Sequence, residues 1–176
     1  VGYARDGRGF LLTDPIPVPV KGDIPLHERF YYLELLRRAN IIKELPDCSG
    51  IRLSGASTLK LDGQAEWRKR GIDEHRWIGV SPGAAFGSAK RWLPERFAKV
   101  AKCLSLELDA GIAIFGTANE IAITRQVEEF SGPRVHNLAG KTTLAEYIQL
   151  AATCSLYITN DSGSMHVAAA LGIPTV

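Results

Sequence analysis

From residue 76 onward the chain repeats one order: a short apolar run, a loop rich in glycine, hydroxyl and charged residues, then a helix-like stretch. The apolar runs are Trp77–Val80, Gly111–Phe115, Val135–Leu138 and Leu156–Thr159, with Ile173–Val176 beginning another. Between them lie stretches with helical spacing. One starts near Pro94, a residue favoured in a first turn, with Glu95 beside it and Phe97, Val100, Ala101 and Leu104 on one face. A second spans Asn119–Phe130. The third opens at Thr143, a predicted N-cap that Glu146 would complete as a capping box, and carries Leu144, Tyr147, Ile148 and Ala151. The fourth spans Ser162–Leu171. Strands that are apolar nearly throughout and alternate with helices imply a parallel sheet covered on both faces. The expected fold is a doubly wound α/β domain.

The region before it is organised differently. Residues 1–25 read as a short strand, a Gly/Arg turn, a second apolar run at Phe10–Leu12 and a proline-rich connection. Pro15, Pro17, Pro19 and Pro25 exclude a helix and favour an extended path. Leu26–Arg38 has amphipathic helical spacing, with Phe30, Tyr32, Leu33, Leu35 and Leu36 as its apolar residues. A mixed Pro/Gly/Ser stretch and a polar helix around Ala65–Arg70 follow. We therefore expect the end of one domain over 1–45, a linker and boundary over 46–75, and a second domain over 76–176. Val1 opens in a strand-like segment and Val176 stops in another, so both ends are expected to be cut from a longer protein.

Composition narrows the function. With 45% hydrophobic and 23% charged residues the chain is of ordinary globular character, long enough to bury a core without disulfides or metals. A net charge of +2, with no basic block interleaved with aromatics, gives no support to nucleic acid as partner. Cys48, Cys103 and Cys154 are widely spaced and form no metal or disulfide pattern, which suits a reducing cytoplasm. Cys103 and Cys154 are expected as small core residues on helices. No apolar run approaches the roughly 18 residues of a membrane span.

Ligands of such a sheet bind beyond the carboxyl ends of its strands. The loops there carry Gly83, Ala84, Ala85, Gly87, Lys90 and Arg91 after the first strand, and Glu120 after the second. Thr142 and Thr143 follow the third, and Asp161, Ser162, Gly163, Ser164 and His166 the fourth. The loops at the opposite rim are plainer. Glycines allow backbone N–H groups near a phosphate, and a lysine adds a mobile point charge. Lys90 and Arg91 equally suit solvated charges before a helix. The Walker pattern GxxxxGKS/T and the dinucleotide fingerprint GxGxxG are both absent. Asp161 or Ser162 suits a helix N-cap, and the Gly163 and Ser164 amides suit an anion. Asp161 would repel a phosphate unless Lys90 stands between them or Asp161 accepts from a sugar hydroxyl. A lone helical histidine such as His166 is more often a surface or structural residue. Glu120 at a helix start suits both the helix dipole and ribose hydroxyls. Arg5, Arg8, His27 and Arg29 suit an anionic partner or plain solvation, and Trp77 and Trp92 suit packing.

The stretches Ser81–Phe97 and Thr159–Gly172 together resemble the ADP-heptose:lipopolysaccharide heptosyltransferases of glycosyltransferase family nine, more closely the second-heptose branch than the first. Val1–Thr13 and the Arg29–Leu36 helix are similar to the end of that family's first domain. The resemblance implies a GT-B architecture of two Rossmann-like domains and an inverting, metal-independent transfer without cofactor. The donor would be ADP-L-glycero-D-manno-heptose and the acceptor the lipopolysaccharide inner core. It implies Lys90 at the diphosphate, Glu120 at the adenosine ribose, and Thr142 and Thr143 near adenine or ribose. Asp161, Ser162, Gly163, Ser164 and His166 would surround diphosphate and heptose, with Lys90 and Asp161 closest to the chemistry and Gly83, Ala84 and Ala85 lining the donor. The family's general-base aspartate would lie upstream of Val1, so this stretch alone is expected to be inactive. A cytoplasmic monomer with peripheral contact to the inner membrane is the implied setting. Two rival readings stay open: the same scaffold with another nucleotide sugar, and a non-catalytic α/β binding domain.

Overall fold

A computed structural model describes residues 1–46, 50–73, 75–84 and 88–176. Cys48, Ala85 and Gly87 lie outside the described residues. The chain divides into two compact units, Val1–Ser49 and Gly50–Val176.

In the first unit, β1 (Gly2–Tyr3) pairs in parallel with β2 (Pro15–Ile16), and α1 spans Glu28–Arg38. Proline is tolerated at the first residue of an edge strand, which is where Pro15 sits. His27 caps α1, its Nδ1 accepting the Arg29 N–H at 3.2 Å. Tyr3 and Ile16 are buried, and the Tyr3 hydroxyl donates to the Tyr31 carbonyl at 2.7 Å. The apolar run Phe10–Leu12 is not a strand. Arg8–Leu11 forms a 3₁₀ turn that leaves Phe10 and Leu11 exposed, because the left-handed Gly7 before it reverses the chain too early for strand pairing. Glu34 is buried in α1 and accepts from Arg37 at 2.6 and 2.7 Å and from Arg38 at 2.7 Å.

The second unit holds a four-stranded, wholly parallel sheet. Its strands are β3 (Trp77–Ser81), β4 (Gly111–Ile114), β5 (Val135–Asn137) and β6 (Cys154–Thr159), in spatial order β5-β4-β3-β6. Around it lie α2 (Ala56–Lys69), α3 (Pro94–Leu108), α4 (Ile121–Ser131), α5 (Leu144–Ala151) and α6 (Gly163–Ala170). Alternation along the strands divides the core in two. Ile78, Val80, Ile112, Ile114 and Ile158 pack with Phe97, Ala98, Ala101 and Val127 of α3 and α4. Trp77, Ala113, Phe115 and Tyr157 pack on the other face with Trp67, Leu150, Ala151 and Ala168 of α2, α5 and α6. Each such isoleucine or phenylalanine contributes about 1.5–3 kcal/mol by leaving water. The doubly wound parallel architecture expected above is thus present. The last residues pair with the free edge of β6, the Val176 N–H donating to the Tyr157 carbonyl at 2.9 Å.

Some local expectations are corrected. Cys103 is exposed on α3 beside Glu107, two residues beyond Ala101 and so about 200° around the helix from it. Cys154 is buried, but it begins a strand and not a helix. The polar helix around 65–70 is the end of the longer α2, whose Trp67 stacks on Trp77 at 3.8 Å and donates to Thr153 Oγ1 at 3.0 Å. Trp77 is packed as expected, whereas Trp92 is 40% exposed and touches Phe97 edge-on.

Candidate functional site

The sheet order makes the chain move outward through β3, β4 and β5 and then return to place β6 on the far side of β3. Between β3 and β6 the connections diverge, and a crevice opens beyond their carboxyl ends. All four strands are parallel, so the loops holding Lys90, Glu120, Thr143 and Asp161 emerge at one rim.

Lys90 and Asp161 face each other across the crevice. Lys90, in the 3₁₀ turn Ser88–Lys90, donates from Nζ to Asp161 Oδ2 at 2.6 Å. Both side chains are about half exposed, at 51% and 61%. The hydrogen bond and charge of Lys90 hold the Asp161 carboxyl below its ordinary range, and His166 adds a smaller pull in the same direction. The loop after β3 is pinned by Asn160, which is buried at the end of β6. Its amide donates to the Pro82 and Gly83 carbonyls at 2.8 and 3.3 Å, and its Oδ1 accepts the Trp92 N–H at 3.0 Å. Arg91 is not merely solvated, since it donates to the Ala84 carbonyl at 2.9 Å.

Glu120 ends the 3₁₀ turn that leads into α4. Its Oε2 accepts both the N–H and the hydroxyl of Thr117, at 2.8 and 2.9 Å, closing a capping box. Its other oxygen lies against Gly83, where an added Cβ would come within 1.7 Å of Oε1. A side chain at 83 would therefore displace the carboxylate. Thr143 caps α5 as predicted, bonding Glu146 through both its backbone N–H and its hydroxyl, at 2.6 and 2.8 Å. Ser162 occupies the N-cap position of α6 without a capping bond, and its hydroxyl lies 3.3 Å from that of Thr159. The first amides of α6 are therefore free of a side-chain cap.

Beside the crevice is a recess of about 390 Å³. Its polar lining includes Glu120, Thr142, Thr143, Gly163 and Ser164, and its apolar lining Phe115, Leu144, Tyr147 and Val167. Lys90, Asp161, Gly83, Ala84 and His166 do not line it. Lys90 and Asp161 stand as an exposed pair on the same rim, and His166 is exposed on α6. A somewhat larger recess, about 440 Å³, lies at the opposite rim near the starts of β3 and β6 and is lined largely by charged and polar side chains such as Lys60 and Arg68. Among the described residues its lining includes neither a glycine nor a helix N-terminus. The carboxyl rim is the better ligand site on chemistry despite the smaller volume.

Phe115, Tyr147 and Val167 as recess walls, and Asn160 as the loop clamp, were not identified from sequence. Their apolar or strand-end positions suggested packing, and only the buried amide following an apolar strand could have signalled Asn160. Among the described residues no group of three or more His, Cys, Asp or Glu could hold a metal ion, and no helix is long and apolar enough to cross a membrane.

The sequence model of glycosyltransferase family 9 (heptosyltransferase) matches residues 2–176. Lipooligosaccharide heptosyltransferase 2 of Haemophilus influenzae is 31% identical over 163 residues, which cover 90% of this chain and 41% of that protein. The solved structure of E. coli ADP-heptose LPS heptosyltransferase II superposes with a TM-score of 0.63 at 31% identity, covering 78% of this chain and 41% of that one. A family 9 glycosyltransferase from Veillonella parvula gives a TM-score of 0.73 at 26% identity, over 93% and 45% of the two chains. The chain thus spans about two-fifths of the length of these relatives.

Proposed function

The chain belongs to glycosyltransferase family 9, the heptosyltransferases, and from that premise we propose that the complete protein transfers heptose from ADP-heptose to the lipopolysaccharide inner core. The similarity to the E. coli ADP-heptose LPS heptosyltransferase II supports donor and acceptor alike. The parallel, Rossmann-like sheet is the domain type that GT-B enzymes use to hold a nucleotide sugar. Residues 76–176, with α2 packed on their sheet, take the donor-binding role in this reading, and residues 1–45 end an acceptor-side domain.

One observation carries the proposal: Lys90 and Asp161 meet at 2.6 Å across the crevice, beside the uncapped start of α6. The pair answers the problem that Asp161 poses to an anion. Lys90 neutralises it and can turn one of its three donors toward a diphosphate, while Asp161 accepts from a sugar hydroxyl. The Gly163 and Ser164 amides add the positive end of a helix. Adenine and ribose fit the neighbouring recess, where Phe115, Leu144 and Tyr147 offer apolar walls and Thr142 and Thr143 line the rim. Glu120 presents ribose with the oxygen that its capping box leaves uncommitted. Ser162 and His166 flank the diphosphate and heptose, and Gly83 and Ala84 bring backbone close to the donor.

Transfer with inversion requires an acceptor hydroxyl, deprotonated by a general base, to displace ADP from the anomeric carbon. Charge builds on the departing diphosphate, so Lys90 and the α6 amides act most strongly as the bond breaks. Calorimetry of the complete protein with ADP, UDP and GDP tests the reading. ADP is expected to bind most tightly, and equal affinity for all three would remove the adenine assignment and favour another nucleotide sugar.

A further inference from the structure

Asn160 is the first residue after β6 and is only 8% exposed, yet both ends of its amide are engaged. The register that pairs Ser81 with Thr159 brings it alongside Pro82, where the chain leaves β3. Its Nδ2 donates to the Pro82 and Gly83 carbonyls at 2.8 and 3.3 Å, and its Oδ1 accepts the Trp92 N–H at 3.0 Å. Turning the amide over would set Oδ1 against two carbonyls and Nδ2 against an N–H, so its orientation is fixed. Thr159 steadies the backbone at this point, its hydroxyl donating to the Asn160 carbonyl at 3.0 Å.

Satisfying the two carbonyls that leave β3 would be reason enough for a buried polar side chain. The bond to Trp92 does more. Gly83 and Trp92 lie on either side of Lys90 in the chain, and one side chain fastens both. A stretch anchored at its β3 end alone would spread the Lys90 backbone over many positions. A second anchor removes that freedom before any ligand arrives. The residue that follows Asn160 is Asp161, which receives the Lys90 ammonium at 2.6 Å. Arg91 makes another tie, to the Ala84 carbonyl at 2.9 Å. That bond stays within the loop, whereas Asn160 joins the loop to the strand that leads into Asp161. The Gly83 it holds is also the glycine against which Glu120 lies, so the same amide steadies the backbone beside that carboxylate.

We propose that Asn160 is a positioning residue of the donor site. By fastening both ends of the Lys90 loop to the end of β6, it holds the Lys90 ammonium beside Asp161, where a diphosphate oxygen meets it. The proposal rests on the donor-site reading above. Asn160 makes no contact with the nucleotide sugar in this role and acts through Lys90.

The test uses the complete protein, with ADP affinity measured by calorimetry and thermal stability measured in parallel. Asn160→Ala releases both loop ends and is expected to weaken ADP binding roughly three- to tenfold. On a Lys90→Ala background the same change should add less than about a twofold loss, because the group it positions is already gone. A purely structural role gives a different result: a lowered Tm, with ADP affinity either unaltered or reduced equally on both backgrounds. Either of those outcomes overturns the proposal. Should Asn160→Ala fail to fold, Asn160→Ser keeps a hydroxyl too short to reach both loop ends, and the same two comparisons decide. If the wild-type protein binds no ADP, the donor-site reading itself falls and this proposal with it. If it binds ADP and the two backgrounds respond alike, only the proposal falls.

Discussion

Glu34 and Asp161 each accept a cationic hydrogen bond at 2.6 Å, yet the two carboxylates live in opposite surroundings. The Glu34 side chain is 4% exposed and shares two guanidiniums that come from three and four residues further along its own helix. The Asp161 side chain is 61% exposed, and its partner Lys90 lies 71 residues away. A dry carboxylate held by neighbours on one helix strengthens the structure around it, and taking its partners away strands a charge. A wet pair of similar length contributes little to stability, because water competes for both ends. Nearly equal distances therefore carry different weight: the Glu34 pairs help to hold the first unit folded, and the exposed Lys90–Asp161 pair is the one that, under the proposed function, would exchange with a ligand.

The sharpest way to break this comparison is Lys90→Ala in the complete protein. Loss of a charge-assisted bond to the departing diphosphate should lower turnover about ten- to a hundredfold, with little change in Tm. Unaltered turnover would remove Lys90 from the chemistry and leave its ion pair without a functional account.

Glu34→Ala should do the reverse, destabilising the protein to denaturant by about 1–3 kcal/mol while leaving ADP affinity alone. Its pH dependence sharpens the point. Hydrogen bonds from Arg37, helped by Arg38, lower the Glu34 pKa from 4.5 to about 2. A lowered folded-state pKa means that the contribution is complete above the unfolded value and disappears as pH falls through the folded one. The stability gap between wild type and Glu34→Gln should thus be widest near neutrality, narrow below pH 4.5 and close near pH 2. A gap that stays constant over that window would place Glu34 outside the linkage.

The smallest effect belongs to Asp161→Asn, for which differential scanning should find no resolvable change in Tm. A large drop would make the exposed pair structural after all and erase the contrast with Glu34.

Much of the second unit was readable because its signals are local. Apolar runs spaced by helical stretches announced the parallel sheet, and Thr143 with Glu146 announced a capping box that involves residues three apart. The rim loops followed from strand direction alone. Sidedness was harder to read. Cys103 lies on the exposed flank of α3, since one residue turns a helix by about 100° and an apolar composition does not say which flank faces the sheet. Phe10 and Leu11 form an apolar run whose sequence does not show its exposure; they lie in a 3₁₀ turn that follows the left-handed Gly7. Asn160 gave no sign of its clamp, because the carbonyls it holds are 78 and 77 residues away.

By itself the amino-acid order determined the succession of strands and helices, the parallel sense of the sheet and the set of loops that share a rim. These depend on periodicity and on capping within a few residues. Tertiary structure alone decided which of those residues touch. Lys90 reaches Asp161 and Ser81 reaches Tyr157 because β6 returns to pair with β3, and Glu120 lies against Gly83 because β4 pairs with β3 on its other side. Contacts across such long separations arise only when the strands come into register, so no local pattern records them.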